Sequence, residues 1–214
     1  MPFAKTWTEE LILEWLLLRG YVALQNVRLK SGKGGGVKEA DILGLKLRKE
    51  PNSKANIIIE TLEILHIEIG SLTESFEKNF ALVKNKFVLE REEAIKEILL
   101  DIIELESALG KFILGYSRLG VSNIEYKPIY VASYVAEKQT NILKEGLKKE
   151  GIEFLTLEEV LKEIIHNIDE WKRKQVEKGF RTTKQITLPE SWWLLNLIDY
   201  MKGKGFFMFK ICHK

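Results

Sequence analysis

The chain has a single cysteine, Cys212, so no internal disulfide is available, which fits a reducing compartment. It also lacks an excess of either charge. Thirty-three Lys and Arg stand against 31 Asp and Glu, a formal net charge of +2. That balance excludes binding of a polyanion through overall charge and confines any such site to a local patch. The first residues, Met1-Pro2-Phe3-Ala4-Lys5, lack the basic-then-apolar layout of a signal peptide. No apolar run reaches the length of a membrane span, and the longest, over residues 11–18, is interrupted by Glu14. A soluble, cytoplasmic protein with no membrane partner is expected. There is no internal repeat, and the only low-complexity tract is Ser31-Gly32-Lys33-Gly34-Gly35-Gly36. This glycine turn is not a nucleotide-binding loop, because the Gly-x4-Gly-Lys-Ser/Thr order is missing and the turn leads into a strand. His66, His166 and His213 form no zinc pattern, and Cys212 and His213 are adjacent, a poor ligand spacing. Gln and Cys are scarce beside abundant Lys, Glu and Ile, a balance common in proteins from hot environments.

What remains is a chain that is 45% hydrophobic over 214 residues, enough for one sizeable domain. Thr8 can cap a helix over residues 8–19, with Gly20 as its stop and Leu11, Trp15 and Leu18 on one face. Residues 21–29 read as a strand. After the glycine turn, residues 37–47 read as a second strand with Val37, Glu39, Asp41, Leu43 and Leu45 on one face. Residues 48–54 read as a polar connection, and residues 57–69 as a long β-branched strand. Helices are expected over residues 73–89, capped by Thr73, and over 92–110. Residues 128–134 read as a strand buried on both faces. A helix over 139–150, a brief strand over 152–155 and a helix from Leu157, capped by Thr156, follow. A basic link, a helix after Pro189 with Trp192 and Trp193, and an apolar end complete the chain.

Two stretches carry the chemistry: Glu39-Ala40-Asp41-Ile42-Leu43-Gly44 and Leu65-His66-Ile67-Glu68-Ile69-Gly70. Each sets an acid inside a run that otherwise reads as buried strand. Desolvating a carboxylate is costly unless it is paired or bound to a metal. Magnesium needs only one or two carboxylates beside water and phosphate oxygens, so Asp41 and Glu68 on neighbouring strands meet that requirement. The backbone carbonyl of Ile69 is a further candidate oxygen. The competing account sets Asp41 at a strand end in solvent and pairs Glu68 with a lysine. His66, two residues before Glu68, faces either the same site or the core. Lys30, Lys33 and Lys38 around the glycine turn form either a basic hairpin that follows a phosphate backbone or a solvated loop tip. The two tryptophans suit packing or a dimer contact better than base stacking, because their neighbours are aliphatic.

The order of an acidic helix, Gly20-Tyr21, a strand, the glycine turn, Glu39-Ala40-Asp41-Ile42-Leu43-Gly44 and Ile67-Glu68-Ile69 resembles the PD-(D/E)XK nuclease superfamily. The later strand around residues 129–134, its helix, and Gly151-Ile152-Glu153-Phe154-Leu155-Thr156 resemble the second half of that core. The likeness covers roughly residues 7–165, and its motifs are short. It implies an α/β restriction-endonuclease-like fold: a mixed sheet flanked by helices over residues 1–180, with a helical insertion near 73–110. Residues 181–214 would form a helical C-terminal extension available for a homodimer contact. It further implies Mg²⁺ or Mn²⁺ held by Asp41 and Glu68, with Glu9 or Glu10 of the first helix (Glu14 being the third candidate) completing the acidic cluster. The activity implied is hydrolysis of phosphodiester bonds in DNA, with RNA as a second substrate. The departure is Gly70, where the family carries lysine. Either the lysine has migrated to the next helix, with Lys78 the nearest candidate and Lys84 beyond it, or the protein keeps the fold and binds nucleic acid or acts as a scaffold without cutting.

Overall fold

The computed structural model describes residues 6–29, 38–52, 57–87, 93–95, 98, 123–178 and 186–206. The elements are α1 (Trp7–Leu18), β1 (Val22–Leu29), β2 (Lys38–Asn52), β3 (Ile57–Leu72), α2 (Phe76–Lys86), β4 (Asn123–Val135), α3 (Glu137–Lys149), β5 (Glu153–Thr156), α4 (Leu157–Glu177) and α5 (Trp193–Gly203). The five strands form one sheet in the order β1-β2-β3-β4-β5. β1, β2 and β3 pair antiparallel, whereas β3, β4 and β5 pair parallel. The fold is thus α/β, a mixed sheet flanked by helices.

One face of the sheet is covered by α1, α4 and α5. Trp15, Leu16, Ile42, Ile67, Val131, Ile164 and Leu195 share that core, so the C-terminal helix belongs to the main body. On the other face, α2 and α3 pack Val83, Leu143 and Leu147 against Leu72, Tyr130 and Phe154. A third cluster joins Val27, Leu43, Leu45 and Ile64 to Ile98. Gly44 sits where α1 crosses β2, and a Cβ there would come within 3.1 Å of Leu16. None of the helices is long and apolar enough to cross a membrane, among the described residues.

Three sequence expectations about boundaries are corrected. Thr6, not Thr8, caps α1, its side chain accepting the Glu9 N–H at 3.2 Å, while Thr8 is buried in the first turn. The stop at Gly20 holds, with φ of +80°. Residues 48–52 are strand, not a connection. Arg48, Lys49 and Glu50 continue the ladder opposite Thr61, Glu60 and Ile59. Polarity does not end this strand because cross-strand charges meet it: Arg48 reaches Glu63 and Glu125. β3 likewise runs on to Leu72, held by β4, so α2 starts at Phe76 with Ser75 as its N-cap rather than Thr73. At α4, Thr156 and Glu159 form the reciprocal capping box that the expected Thr156 start implies. Most of the helix expected over 92–110, and the glycine turn over 31–36, lie outside the described residues.

Candidate active site

β2 pairs with β1 from Lys38 to Leu45 but joins the ladder with β3 only at Ile42, opposite Ile67. Asp41 therefore stands one residue outside that ladder. Its side chain does what the missing backbone partner would do, accepting the Ile69 N–H at 2.8 Å. Directly across β1, Asn26 has φ of +52°, a left-handed kink between the pairs Gln25–Ile42 and Val27–Ala40. Asp41 and Glu68 are thereby brought close enough for the Glu68 charge to act on Asp41.

Glu68 is 2% exposed, and both carboxylate oxygens are engaged. Oε1 lies 3.1 Å from His66 Nε2, and Oε2 accepts from Lys86 Nζ at 2.9 Å. His66 Nδ1 is 2.6 Å from the Tyr126 hydroxyl. Because Nε2 faces a carboxylate acceptor, that nitrogen carries the hydrogen, and Tyr126 donates to Nδ1. Phe87 closes over the imidazole edge-on, 4.9 Å between ring centroids. His66 is thus a buried histidine with both ring nitrogens bonded, facing Glu68 from within the core.

The electrostatics differ from those of an ordinary buried ion pair. Burial, with the charges of Glu68 and Glu9, holds the Asp41 carboxyl above the usual carboxylate range, against the Ile69 hydrogen bond and Lys86. Lys86 is raised although burial opposes it, through its bond to Glu68 and the charge of Asp41. Two carboxylates share this one ammonium. Glu63, another buried acid of β3, shows the contrast. Burial opposes its ionisation, yet Lys127, the Tyr21 hydroxyl at 2.8 Å and Arg48 together hold its pKa below the ordinary value.

The structure separates the remaining expected residues. Lys78 pairs with Glu74 at 3.3 Å and is 72% exposed, and Lys84 pairs with Glu150. The lysine of α2 that reaches Glu68 is Lys86, so the Lys78 assignment is corrected. Glu9 bears on Asp41, whereas Glu10 bears on Glu14. Glu14 is fully buried and faces away from the site, accepting the N–H groups of Leu194 and Leu195. Lys30 and Lys33 lie outside the described residues, and Lys38 opens β2 opposite Leu29. Sequence reasoning missed Lys86, Tyr126 and Tyr130. Alternation along a strand gives no access to a partner 18 or more residues away.

Among the described residues, no group of three or more His, Cys, Asp or Glu stands ready to hold a metal ion. The donor chemistry nonetheless fits a hard, oxygen-seeking dication such as Mg²⁺ or Mn²⁺. Asp41 bonds Ile69 through one oxygen, whereas both Glu68 oxygens are held by His66 and Lys86, so a bound ion would have to replace Lys86 there. Comparison with protein-family models, with curated proteins and with solved structures finds no match for the chain.

The crowding of acids has a measurable consequence. With the folded-state pKa of Asp41 above its ordinary 3.8, ionised Asp41 opposes folding at pH above the folded value. That opposition vanishes below the unfolded value. Asp41→Asn keeps an oxygen for the Ile69 N–H, so it is expected to raise the melting temperature of the metal-free protein at pH 7 by roughly 1–3 °C. The advantage should disappear as pH falls toward 4, and thermal unfolding across pH checks it.

Proposed function

We propose that the protein is a metal-dependent phosphodiester hydrolase with a restriction-endonuclease-like core, acting on DNA and with RNA as the second substrate. One observation carries the reading: Asp41 and Glu68 converge from neighbouring strands on a single ammonium, Lys86, which comes from α2. The order α1-β1-β2-β3 followed by parallel β4 and β5 supports the fold assignment. Asp41 and Glu68 are the proposed holders of Mg²⁺ or Mn²⁺, with Glu9 adding its field. The ion, when bound, supplies Lewis acidity at the phosphate. Lys86 provides the positive charge for the phosphate that Gly70 cannot. His66, oriented by Tyr126, fixes the Glu68 carboxylate. On α5, Trp193, Leu197 and Tyr200 form an exposed stripe at helical spacing, which supports pairing of two copies.

The second reading is a nuclease-fold protein that binds nucleic acid or serves as a scaffold without cutting. The Glu68–Lys86 ion pair, complete as it stands, favours it. Incubation with plasmid, branched DNA and RNA in Mg²⁺ or Mn²⁺ separates the two. Cleavage is expected that stops with EDTA and with Asp41→Ala, and that falls about a hundredfold in Lys86→Met. Cleavage that survives Asp41→Ala sinks the site. No cleavage, with no divalent-ion uptake by calorimetry, supports the second reading.

A further inference from the structure

The place at Gly70 is filled from the neighbouring strand. A Cβ added to Gly70 would lie 2.5 Å from the Tyr130 hydroxyl oxygen, well inside contact distance. Tyr130 and Glu68 are register partners on parallel β4 and β3, so both side chains project from the same face of the sheet. Tyr130 is 1% exposed, and its ring stacks on Phe154 at 6.2 Å with 4° between the planes, so it cannot swing aside cheaply. Among the described residues no hydrogen bond holds its hydroxyl, which is not one of the buried polar atoms left without a partner, so the oxygen keeps contact with solvent beside Gly70. A phenol is protonated near neutral pH and is available as a hydrogen-bond donor.

We infer that the Tyr130 hydroxyl, beside the charge that Lys86 supplies, donates a hydrogen bond to a non-bridging oxygen of the scissile phosphodiester. The inference rests on the hydrolase reading above. The phenol keeps its proton throughout. As the bond from the water oxygen to phosphorus forms and the ester oxygen–phosphorus bond breaks, Tyr130 steadies the charge on the phosphate oxygen. The water's proton goes to solvent, and the departing ester oxygen takes one from solvent. Glycine at position 70 follows from this, because any side chain there would displace the hydroxyl.

The experiment uses the full chain and a plasmid substrate with Mg²⁺ or Mn²⁺. Tyr130→Phe, which removes one oxygen and keeps the stacked ring, is expected to lower kcat about a hundredfold with KM within about twofold and an unchanged melting temperature. A readout independent of activity comes from Gly70→Ala. Its melting temperature should drop in the wild-type background, and the drop should be largely relieved when Tyr130→Phe is added, because the clashing oxygen is gone. Wild-type kcat in Tyr130→Phe overturns the inference, as does a Gly70→Ala protein that melts like the wild type. Cleavage lost in Asp41→Ala but retained in Tyr130→Phe overturns this inference alone. Cleavage that survives Asp41→Ala, or no cleavage by the wild type, overturns the parent reading and this inference with it.

Discussion

Glu68→Ala is expected to remove activity and much of the local structure together, whereas Glu68→Gln should remove the first and spare most of the second. Alanine leaves His66 buried without its carboxylate and strips Lys86 of its acceptor. Breaking a fully buried pair by deleting one partner costs about 3–5 kcal/mol. Lys86 is 44% exposed and regains water, so about 2–3 kcal/mol is the appropriate scale here. For a chain of this size that lowers the melting temperature by roughly 4–10 °C. Glutamine keeps the shape and one oxygen, so its loss of stability should be less than half as large. On the proposed hydrolase reading, metal-dependent cleavage should nonetheless fall by at least about a hundredfold, because the charge is gone. Thermal unfolding and initial rates on the same preparations check both halves. A Glu68→Gln protein that cuts like the wild type would remove Glu68 from the site.

The second large effect lies on the opposite face. Trp192, the N-cap of α5, supplies no side-chain cap. The cap comes instead from Glu14 of α1, which accepts Leu195 N–H at 2.8 Å and Leu194 N–H at 3.3 Å. The carboxylate also sits at the positive end of the helix dipole. Glu14→Ala leaves two buried N–H donors without an acceptor and opens a cavity, at a cost of about 2–4 kcal/mol. A fall in melting temperature of roughly 5–12 °C follows. Burial raises the Glu14 pKa against those same N–H bonds, so its charge is held at some expense. Glu14→Gln, with one oxygen retained and no charge to desolvate, should cost clearly less than alanine. Trp171 and Trp192 meet edge-on at 5.7 Å where α4 meets the α5 N-terminus, so their fluorescence should shift red in the alanine variant as the helix loosens. A melting temperature within about 1 °C of wild type would refute the capping role.

Lys78 is the lysine that follows Gly70 most closely along the chain, yet it pairs with Glu74 and does not reach Glu68. Distance along the chain is the wrong measure here. β3 continues past Glu68 to Leu72 before α2 begins at Phe76, so the chain must travel back to reach the carboxylate. The last turn of α2, not its first, arrives there, bringing Lys86 to Glu68 and Phe87 to His66. Glu14 shares α1 with Glu9 and Glu10, yet it binds the start of α5 and not the site. Helical phase places Glu14 on the buried side, but which element waits there is a tertiary fact.

Residue types alone determined the kind and order of the described elements, though not all their ends, and the key pair of acids. β-Branched runs, Thr156 with Glu159 and a glycine stop at position 20 act over one or two turns, and the two-residue alternation of strands put Asp41 with Leu43 and Glu68 with His66. Which groups answer those acids was decided only by the tertiary structure. Lys86 depends on the length of β3 and the return of α2, and the Tyr130 hydroxyl beside Gly70 depends on the parallel register between β3 and β4. Register and helix docking are set by the summed burial of many side chains, so no local motif encodes them.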